Sequence, residues 1–482
     1  MRFSFPDGEL GAWACLGAVT DHSVRVWLRD PELKSHVATL WIDDDMVGEA
    51  MLEPASERDG IAAVDIVLAQ PSPNSRFLVD VAGFQRSGIM APAPGEPSAF
   101  SFAFGSCNQP FSITSRGSVT KRGSVGIYSA MCPVLKAQQA RFVALLGDQV
   151  YSDGILHFNV REAFPDTDSP VSDQELLSFY RHIYRGYFAE KGFLKLLQTA
   201  PTYMMWDDHE ILDNWGSEPD RSELENQMFR AAAKAFREYQ HLHNPNAGME
   251  DGPPYHFKFW YGDVGFMVLD LRSSRNYQAY RVFDEAQWKS FDEFLAEATQ
   301  RETPTLFVGA TIPVIHFSPT VVNMLDWVPG SKGGNVRDRW DSDRFNQDRD
   351  RFLNSLFDWQ SERPERQVVI LSGDVHAGAA FRIRRKRGPG EVLQWTSSSF
   401  TAPAGVFHWL FNVLGTAAVN VGEELCRATR EGVETLNNFG IVNVTPLGRG
   451  RGHETAFTLY GYNPKRKNLV ARLRSFSRPR PE

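Results

Sequence analysis

The chain has 482 residues, of which 42% are hydrophobic and 23% are charged, and its formal net charge is −8. This length allows a large buried core and more than one domain, and the composition excludes a disordered or fibrous protein. Because the net charge is negative, the chain has no general attraction to nucleic acid or to an anionic membrane. A negatively charged substrate must therefore be attracted by local groups such as metal ions or arginines.

Residues 1–6 contain neither an apolar segment of secretory length nor a twin-arginine motif. We therefore expect a cytoplasmic protein, or a periplasmic or secreted one if a leader has been removed. The longest apolar stretch, residues 404–421, is interrupted by His408 and Asn412, which favours a buried or interfacial helix over a membrane span. The four cysteines show no CxxC spacing, which indicates neither a zinc knuckle nor a disulfide framework.

The first ninety or so residues alternate apolar and polar side chains with the period of a β-strand. The clearest runs are residues 24–29, 38–42, 63–68 and 77–81. Turn-forming clusters separate them, which predicts an N-terminal all-β sandwich of the immunoglobulin or fibronectin kind. The proline-rich segment 90–97 is a natural boundary. We expect one domain over residues 1–92 and a second over residues 93–482.

Beyond this boundary, strand patterns alternate with helical patterns, which predicts a layered α/β domain. Ser172 and Glu175 form a capping-box pattern that opens an amphipathic run through Leu197. Further helical runs are residues 224–241, 284–298 and 345–359. Strand patterns return at residues 392–395, 440–444, 455–462 and 469–473.

Six short apolar runs in this region end abruptly in polar residues that are able to bind metals or anions. They are residues 100–104, 142–146, 202–206, 266–269, 306–308 and 368–371. A buried strand that ends in this way directs those polar groups into the crevice at the carboxyl edge of its sheet. Several such ends meeting in one place would form a charged, chelating pocket. The pattern predicts a metal-dependent hydrolase.

Asp148 and Asp374 each follow a glycine at a predicted strand end. An aspartate in this position is able to bridge two cations, and two metals about 3.5–4 Å apart clamp the attacking and leaving oxygens in phosphoryl-ester hydrolysis. The alternative is that each aspartate only caps a turn. Asp208, together with Asp213 or Asn214, adds oxygen ligands of the kind that calcium, magnesium and manganese prefer.

Tyr151 and Cys107 suggest a different metal on the other side of the pocket. A phenol stays ionised only beside a strongly Lewis-acidic ion, and a thiolate argues against a purely magnesium or calcium site. Together they favour a redox-capable or trivalent metal such as ferric iron. The alternative is that the cysteine is a small buried apolar residue and that the tyrosine only packs.

Three further residues are candidates for contact with the substrate. His209 is able to bind a phosphate oxygen or to protonate the leaving alkoxide, with Glu210 orienting it, or it is a hydrogen-bonded structural residue. Arg272 and Arg275 follow a predicted strand and match phosphate geometry. Arg272 has the alternative of pairing with Asp270 or with a surface acid.

Two basic regions have a simpler interpretation. Residues 382–387 look like the solvated tip of a hairpin, and residues 465–467 with Arg478 and Arg480 carry charge but few interleaved aromatic side chains. With net acidity elsewhere, we expect no nucleic-acid binding.

The motifs together resemble the PhoD-like alkaline phosphatases of the calcineurin-like metallophosphoesterase superfamily, and the resemblance covers most of the chain. The matching motifs are Gly105-Ser106-Cys107, Gly147-Asp148-Gln149-Val150-Tyr151, Trp206-Asp207-Asp208-His209-Glu210 through Asn214, Leu269-Asp270-Leu271-Arg272 and Ser372-Gly373-Asp374-Val375-His376.

The resemblance implies a four-layered α/β/β/α sandwich with an iron and calcium centre. Its ferric ligands would be Cys107, Asp148, Tyr151 and His376, and Asp148 would bridge to one or two calcium ions held by Asp208, Asp374 and Asn214. Manganese, magnesium or zinc are possible substitutes. A metal-bound hydroxide or another metal-bound oxygen species would attack phosphorus in line, while Arg272 holds the phosphate and His209 assists.

The chain departs from the family pattern in three places. Asp213 stands where the family often has asparagine, and residues 114–126 look like an inserted loop. Residues 403–436 look like a helical insertion. Either insertion would narrow the range of substrates, which we expect to be small-molecule, lipid or nucleotide phosphate esters. The expected activity is that of a phosphoric-ester hydrolase acting on monoesters, diesters or both. The alternatives are a phosphodiesterase with phospholipase-D-like activity on the same centre, and a non-catalytic binding protein stabilised by metals.

Overall fold

The computed structural model describes residues 4–113, 118–153, 171–217, 221–316, 338–340, 342–403, 418–421, 425–448 and 451–479. In its N-terminal part the strands are β1 Trp13–Val19, β2 Ser23–Arg29, β3 His36–Ile42, β4 Asp45–Leu52, β5 Ile61–Val67, β6 Arg76–Val81 and β7 Phe84–Ile89. They form two antiparallel sheets with the orders β1-β2-β5 and β4-β3-β6-β7. Val26, Leu40 and Val79 belong to one buried cluster to which both sheets contribute. All four strand runs predicted for this part are confirmed.

The rest of the chain holds sixteen further strands and six α-helices within the described ranges. The strands are β8 Phe100–Gly105, β9 Phe111–Ile113, β10 Val119–Lys121, β11 Val143–Leu146, β12 Thr202–Met205, β13 Phe257–Tyr261, β14 Val264–Val268, β15 Thr305–Ala310, β16 Gln367–Ser372, β17 Gly378–Arg385, β18 Glu391–Thr396, β19 Ala418–Val421, β20 Cys426–Glu434, β21 Asn437–Pro446, β22 His453–Asn463 and β23 Asn468–Ser477. The helices are α1 Gly126–Ala137, α2 Asp173–Phe188, α3 Lys191–Thr199, α4 Glu223–Tyr239, α5 Glu285–Gln300 and α6 Asn346–Ser361.

Two large sheets carry the six predicted strand ends, three in each sheet. One sheet has the order β12-β11-β8-β21-β22-β23, and the other has the order β13-β14-β15-β16-β18-β17-β20-β19. Strands β8, β11 and β12 are mutually parallel, and so are β14, β15 and β16. The carboxyl ends of the three strands therefore lie together at one edge of each sheet.

The two large sheets contact each other through aromatic side chains. The ring of Phe102 on β8 stands edge-on to Phe266 and Phe307, with centroids 5.4 and 5.1 Å away. Tyr203 on β12 stacks on Phe259 of β13 at 4.4 Å. Strands covered in this way are apolar throughout their length, which explains why they are continuous apolar runs in the sequence.

The predicted helices are present, with one change. The capping box of Ser172 and Glu175 is confirmed at the start of α2. The run predicted to continue through Leu197 is two helices, because the Glu190 side chain accepts hydrogen bonds from the first backbone N–H groups of α3 and so starts a new helix. Within the described ranges, no helix is both long and apolar enough to cross a membrane.

The helical expectation for residues 403–436 is wrong for the part of it that the structure describes. Residues 418–421 and 426–434 are the strands β19 and β20, and β20 pairs with β17. Buried Cys426 and Ala428 alternate with exposed Arg427 and Thr429, which is the period of a strand. The same finding corrects the end of the helix expected over 404–421, whose first fourteen residues lie outside the described ranges.

The other two segments singled out in the sequence are also partly described. Residues 119–121 of the expected insertion at 114–126 form β10, which pairs with β9, while 114–117 lie outside the described ranges. The hairpin predicted at residues 382–387 is confirmed, because β17 and β18 pair antiparallel, but residues 382–385 are part of β17 and the tip is residues 386–390.

The N-terminal sheets are fixed to the rest of the chain by close contacts at β1 and β2. Trp27 donates a hydrogen bond from Nε1 to the carbonyl oxygen of Glu238 at 2.8 Å, and Arg25 donates to the carbonyl oxygen of Leu242. A Cβ atom added at Gly17 would overlap the backbone of His243, with its Cα only 2.8 Å away. Backbone atoms on both sides leave no flexible side chain to relieve this overlap.

We expect Gly17→Ala to lower the free energy of unfolding by about 1–3 kcal/mol, the usual cost of overpacking. The measurement is urea unfolding followed by tryptophan fluorescence. Gly11→Ala is the matched control, because a Cβ there meets no atom within 4 Å. Equal stability of the two variants would contradict the close contact.

Candidate metal centre

Four predicted ligands of one metal lie together where the two sheets meet. The Cys107 Sγ lies 3.3 Å from Oδ2 of Asp148, and the Tyr151 Oη lies 3.5 Å from the same oxygen. The Tyr151 Oη is also 3.2 Å from Nε2 of His376. A thiol, a carboxylate, a phenol and an imidazole from three separate segments therefore converge on one point.

The backbone at these positions is unusual. Cys107, Asp148, Asp374 and His376 have φ angles of 59°, 57°, 61° and 49°, in the left-handed region that L-residues seldom adopt. Backbone strain of this kind clusters at functional sites, where the surrounding structure holds it in place. Each turn directs a metal-competent side chain into the space between the sheets.

A group of carboxylates forms the other side of the centre. Asp148, Asp207, Asp208 and Asp374 each offer one oxygen, and these atoms all lie within 4.8 Å of one another. Oδ1 of Asp148 is buried and has no partner among the described residues, and the buried Oδ1 of Asp208 has only the Arg272 guanidinium, at 3.3 Å. Buried polar atoms are normally hydrogen-bonded, so these two oxygens fit a cation.

The pKa values of these donors also indicate a cation site. Burial, followed by the nearby Cys107 and carboxylates, raises the pKa of Asp148 well above its usual value. Removal from water raises the pKa of Asp374 to about 6, although the positive charge of Arg339 opposes the rise. Burial likewise raises the pKa of the Cys107 thiol to about 12. The donors ionise readily only with a positive charge among them, which is what a metal supplies.

Arg272 is fully buried, and protein groups occupy its guanidinium. Nη1 and Nη2 donate to the two carboxylate oxygens of Asp338 at 2.6 and 2.8 Å, and Nε donates to Asp207. Nη1 also donates to the carbonyl oxygen of Trp215 at 3.1 Å, and Nη2 lies 3.3 Å from Asp208.

This arrangement leaves Arg272 no N–H group for a phosphate oxygen. It therefore favours the alternative that Arg272 forms ion pairs within the protein, although its partners are not the expected Asp270 or a surface acid. Asp270 accepts the backbone N–H of Arg272, at 3.0 Å, but no N–H of its guanidinium. Arg275 is also buried, and its Nε donates to Ser217 while its guanidinium stacks on Phe345 at 4.0 Å, but its Nη1 has no hydrogen-bond partner among the described residues. Burial lowers the pKa of Arg275 to about 10.

His209 is held by two contacts. Its ring stacks on Tyr151 with centroids 4.1 Å apart, and its Nδ1 lies 2.8 Å from Oδ1 of Asp153. Ser152 donates from Oγ to the His209 carbonyl oxygen at 2.9 Å. Burial opposes charging of His209, but the carboxylates of Asp153, Asp208 and Asp148 outweigh burial and raise its pKa well above the usual value.

The expectation that Glu210 orients His209 is wrong, because Glu210 points the other way. Its carboxylate accepts the backbone N–H groups of Asp207, Asp148 and Gln149 at 2.9, 3.0 and 2.6 Å. Glu210 therefore shapes the two loops that carry the aspartates. The residue that orients His209 is Asp153. The sequence offered one clue to it, its place two residues beyond Tyr151.

The remaining predicted positions have distinct surroundings. The backbone N–H of Asn214 donates to Oδ2 of Asp208 at 2.6 Å, so Asn214 lies beside the carboxylate group. The Asp213 side chain is 57% exposed, and its Oδ1 is 4.0 Å from Nε2 of His209. Thr311, for which no task was expected, donates from Oγ1 to Asp207 at 3.0 Å.

Comparison with known proteins identifies the family. Residues 102–406 match the sequence profile described as PhoD-like phosphatase. The chain belongs to the PhoD-like phosphatase family. The predicted family is thereby confirmed, and the donor group described above lies within or beside the matched region.

Curated relatives of this member of the PhoD-like family are distant. Alkaline phosphatase D of Bacillus subtilis is 24% identical over 303 residues, which cover 61% of this chain and 48% of the relative. An uncharacterized protein of Saccharomyces cerevisiae is 23% identical over 380 residues, which cover 59% of this chain and 52% of the relative. The chain thus spans about half the length of the curated relatives it matches.

Solved structures show the same mixed α/β fold. The structure of PhoD has a TM-score of 0.65 at 17% identity and covers 95% of this chain and 91% of its own. A purple acid phosphatase from yellow lupin seeds has a TM-score of 0.56 at 10% identity, with 96% and 74% covered.

Metal binding should stabilise the protein more at high pH than at low pH. The folded-state pKa of Asp374, about 6, lies above its unfolded value of about 3.9, so without metal the stability it contributes is lost as pH rises through about 6. A cation binds the ionised form and reverses this loss. We expect calcium or manganese to raise the melting temperature of chelator-treated protein more at about pH 8 than at about pH 5.

Thermal unfolding of Asp374→Asn should show a smaller metal effect at the higher pH. Exposed Glu302→Gln is the surface control and should behave like the unmodified protein. A metal effect that is equal at both pH values would contradict the assignment of raised pKa values to this centre.

Proposed function

We propose that this member of the PhoD-like family is a metal-dependent phosphoric-ester hydrolase acting on monoesters, diesters or both. The observation that carries the proposal is the buried Oδ1 of Asp148, which has no partner among the described residues, beside the Asp208 oxygen, a thiol and a phenol. A purely structural ion would need no such mixture of soft and hard donors together with His209, whose side chain is 19% exposed. Family membership supports the same conclusion.

The donor chemistry supports two unlike metals. We infer ferric iron between Cys107, Asp148, Tyr151 and His376, because thiolate, phenolate and imidazole suit a Lewis-acidic transition metal. We assign calcium to the oxygen side, with Asp208, Asp374 and Asn214 as its ligands and Asp148 bridging, since calcium prefers oxygen donors. Manganese, magnesium or zinc are possible substitutes.

The proposal also includes the finer architecture. We infer an α/β/β/α order of layers around the two large sheets and an N-terminal β-sandwich domain over residues 1–92. The shared core of the two N-terminal sheets supports the sandwich, and the aromatic contacts between the large sheets support the central two layers.

The bound metals would supply Lewis acidity and an activated water for attack on phosphorus. Among the protein groups, His209 is placed to hold a proton for the leaving alkoxide. Asp153 accepts a hydrogen bond from Nδ1, so the free nitrogen is Nε2, on the side of the ring away from Asp153. A raised pKa keeps His209 protonated at neutral pH and therefore able to act as an acid.

Arg272 acts on the carboxylates in this proposal. By pairing with Asp207, Asp208 and Asp338 it fixes the oxygen side of the centre and balances part of its charge. A substrate phosphate would then be bound by the metals and by His209.

The test of the proposal is metal analysis of the purified protein together with assays on chromogenic monoesters and diesters. We expect iron and calcium to copurify and at least one class of ester to be cleaved. The proposal fails if no metal copurifies and no ester is cleaved with added iron plus calcium or with manganese. Bound metal without any cleavage would favour the binding-protein alternative.

Asp148→Asn should abolish most of this activity and reduce the metal content, because Asp148 touches both metal positions in the proposal. The control is Asp45→Asn, which removes an exposed carboxylate on β4, far from Asp148 in the sequence. Unchanged activity of Asp148→Asn would exclude a bridging role.

Asp153→Asn should lower kcat by about 100-fold with little change in KM or in metal content, since the amide no longer fixes the Nδ1 proton of His209. Steady-state kinetics and metal analysis of the same sample measure both. Asp21→Asn is the matched control, because Asp21 makes the same contact to Nδ1 of His22, at 2.7 Å. Loss of metal from Asp153→Asn would instead make Asp153 a ligand.

A further inference from the structure

Exposed apolar side chains concentrate in two places outside the metal centre. Of the nine large apolar side chains that are exposed among the described residues, six lie at residues 33–67 and two lie on β23. They include Met51, Val67 and Phe476, which are 53%, 59% and 50% exposed. Contiguous exposed apolar surface on a soluble domain commonly marks an interaction site.

The first place is an acidic strip on and beside β4, an edge strand of its sheet. The acidic strip consists of Val37, Asp45, Met46, Val47, Glu49, Met51 and Val67. Val37 and Met51 are cross-strand partners on β3 and β4. Residues 37–57 contain six acidic residues and no lysine or arginine. Asp45 and Glu49 form no ion pair with any described residue.

The second place is a basic strip on β23, which is an edge strand of its six-stranded sheet. The basic strip consists of Val470, Arg472, Arg474 and Phe476. Residues 455–480 contain seven lysines and arginines and no acidic residue. Arg472 contacts Glu434 at 3.2 Å, whereas Arg474 has no ion pair in the part of the chain that the structure describes. Residues 465–467, also basic, lie in the turn between β22 and β23 that precedes this strip.

The two strips are complementary in charge and alike in form. Charged side chains on an edge strand prevent pairing with a strand of the same charge. Edges of opposite charge attract each other instead. Contact between the two strips would also bury the exposed apolar side chains of both. A partner surface for the acidic strip should be an edge strand that carries both basic and exposed apolar side chains. The basic strip on β23 of a second copy is such a surface.

We propose that the acidic strip of one copy of this chain docks on the basic strip of a second copy. Because the two strips are different surfaces, the contact is head-to-tail, and repetition builds a ring or an open row of copies. The proposal is independent of the proposed hydrolase activity, since neither strip includes a residue of the metal centre.

Sedimentation velocity over a range of protein concentrations tests the proposal. We expect association at up to about 100 µM protein, consistent with a weak charged contact. We expect the association to weaken from about 0.05 M to about 1 M salt, because the screening length falls to about 3 Å. A chain that stays monomeric throughout this range at low salt overturns the proposal.

Charge reversal separates this contact from any other. Glu49→Lys alone and Arg474→Glu alone should each weaken association at least ten-fold, because like charges then face each other. An equal mixture of the two variants should associate again, since the lysine of one faces the glutamate of the other. Exposed Glu302→Lys is the control and should associate like the unmodified chain.

Other outcomes of the same experiment count against the proposal. If Glu49→Lys prevents association but Arg474→Glu does not, the acidic strip meets some other surface, and the head-to-tail contact is wrong. Failure of the mixture to associate has the same consequence. Circular dichroism and ester hydrolysis of each variant should match the unmodified chain and thereby exclude misfolding as the cause.

Discussion

Asp148, Asp207, Asp208 and Asp374 place four carboxylates where their oxygens lie within 4.8 Å of one another, and three of these side chains are buried. Removing like charges from water in this way costs free energy unless positive charge is present. The four carboxylates come this close because the backbone at Gly147 lies directly against Asp207. Gly147 has a φ of 92°, and a Cβ there would lie 2.6 Å from Cβ of Asp207. The need to balance these negative charges explains why a buried arginine and metal-competent donors surround the carboxylates.

Arg272 supplies part of that balance from within the protein. Its partner Asp338 is far away in the sequence, yet the pairing is bidentate and fully buried. Such a pair holds its partners rigidly, because breaking it would leave an uncompensated buried charge. A bound cation would supply the rest of that balance. The thiol and the phenol lie on one side of the carboxylates, so the two sides of the centre are chemically different.

Much of this centre was predictable from the sequence because its donors are local features. Cys107, Asp148 and Asp374 each follow an apolar strand by a few residues, so these candidate donors could be found one strand at a time. Their mutual contacts follow from the parallel order of the strands. Residues that directly follow predicted parallel strands can therefore be expected to lie close together, before the structure of the sheet is known.

The supporting contacts were not predictable for the opposite reason. Whether Arg272 grips a phosphate or a carboxylate depends on Asp338, which no local pattern connects to it. Asp153 and not Glu210 orients His209, because the 3₁₀ turn at Asp208–Glu210 directs the adjacent side chains of His209 and Glu210 to different partners. For β20, an alternation of small buried residues with arginine was too weak a signal to overrule a helical interpretation.

The most direct test of an unequal metal centre is anomalous X-ray diffraction from crystals of protein purified with its own metals. Data collected on both sides of the iron absorption edge should show a peak between Cys107, Asp148, Tyr151 and His376 that disappears below the edge. A second ion, without iron signal, should lie among Asp148, Asp208 and Asp374. Two identical ions, or no ion beside Cys107 and Tyr151, would contradict the central claim.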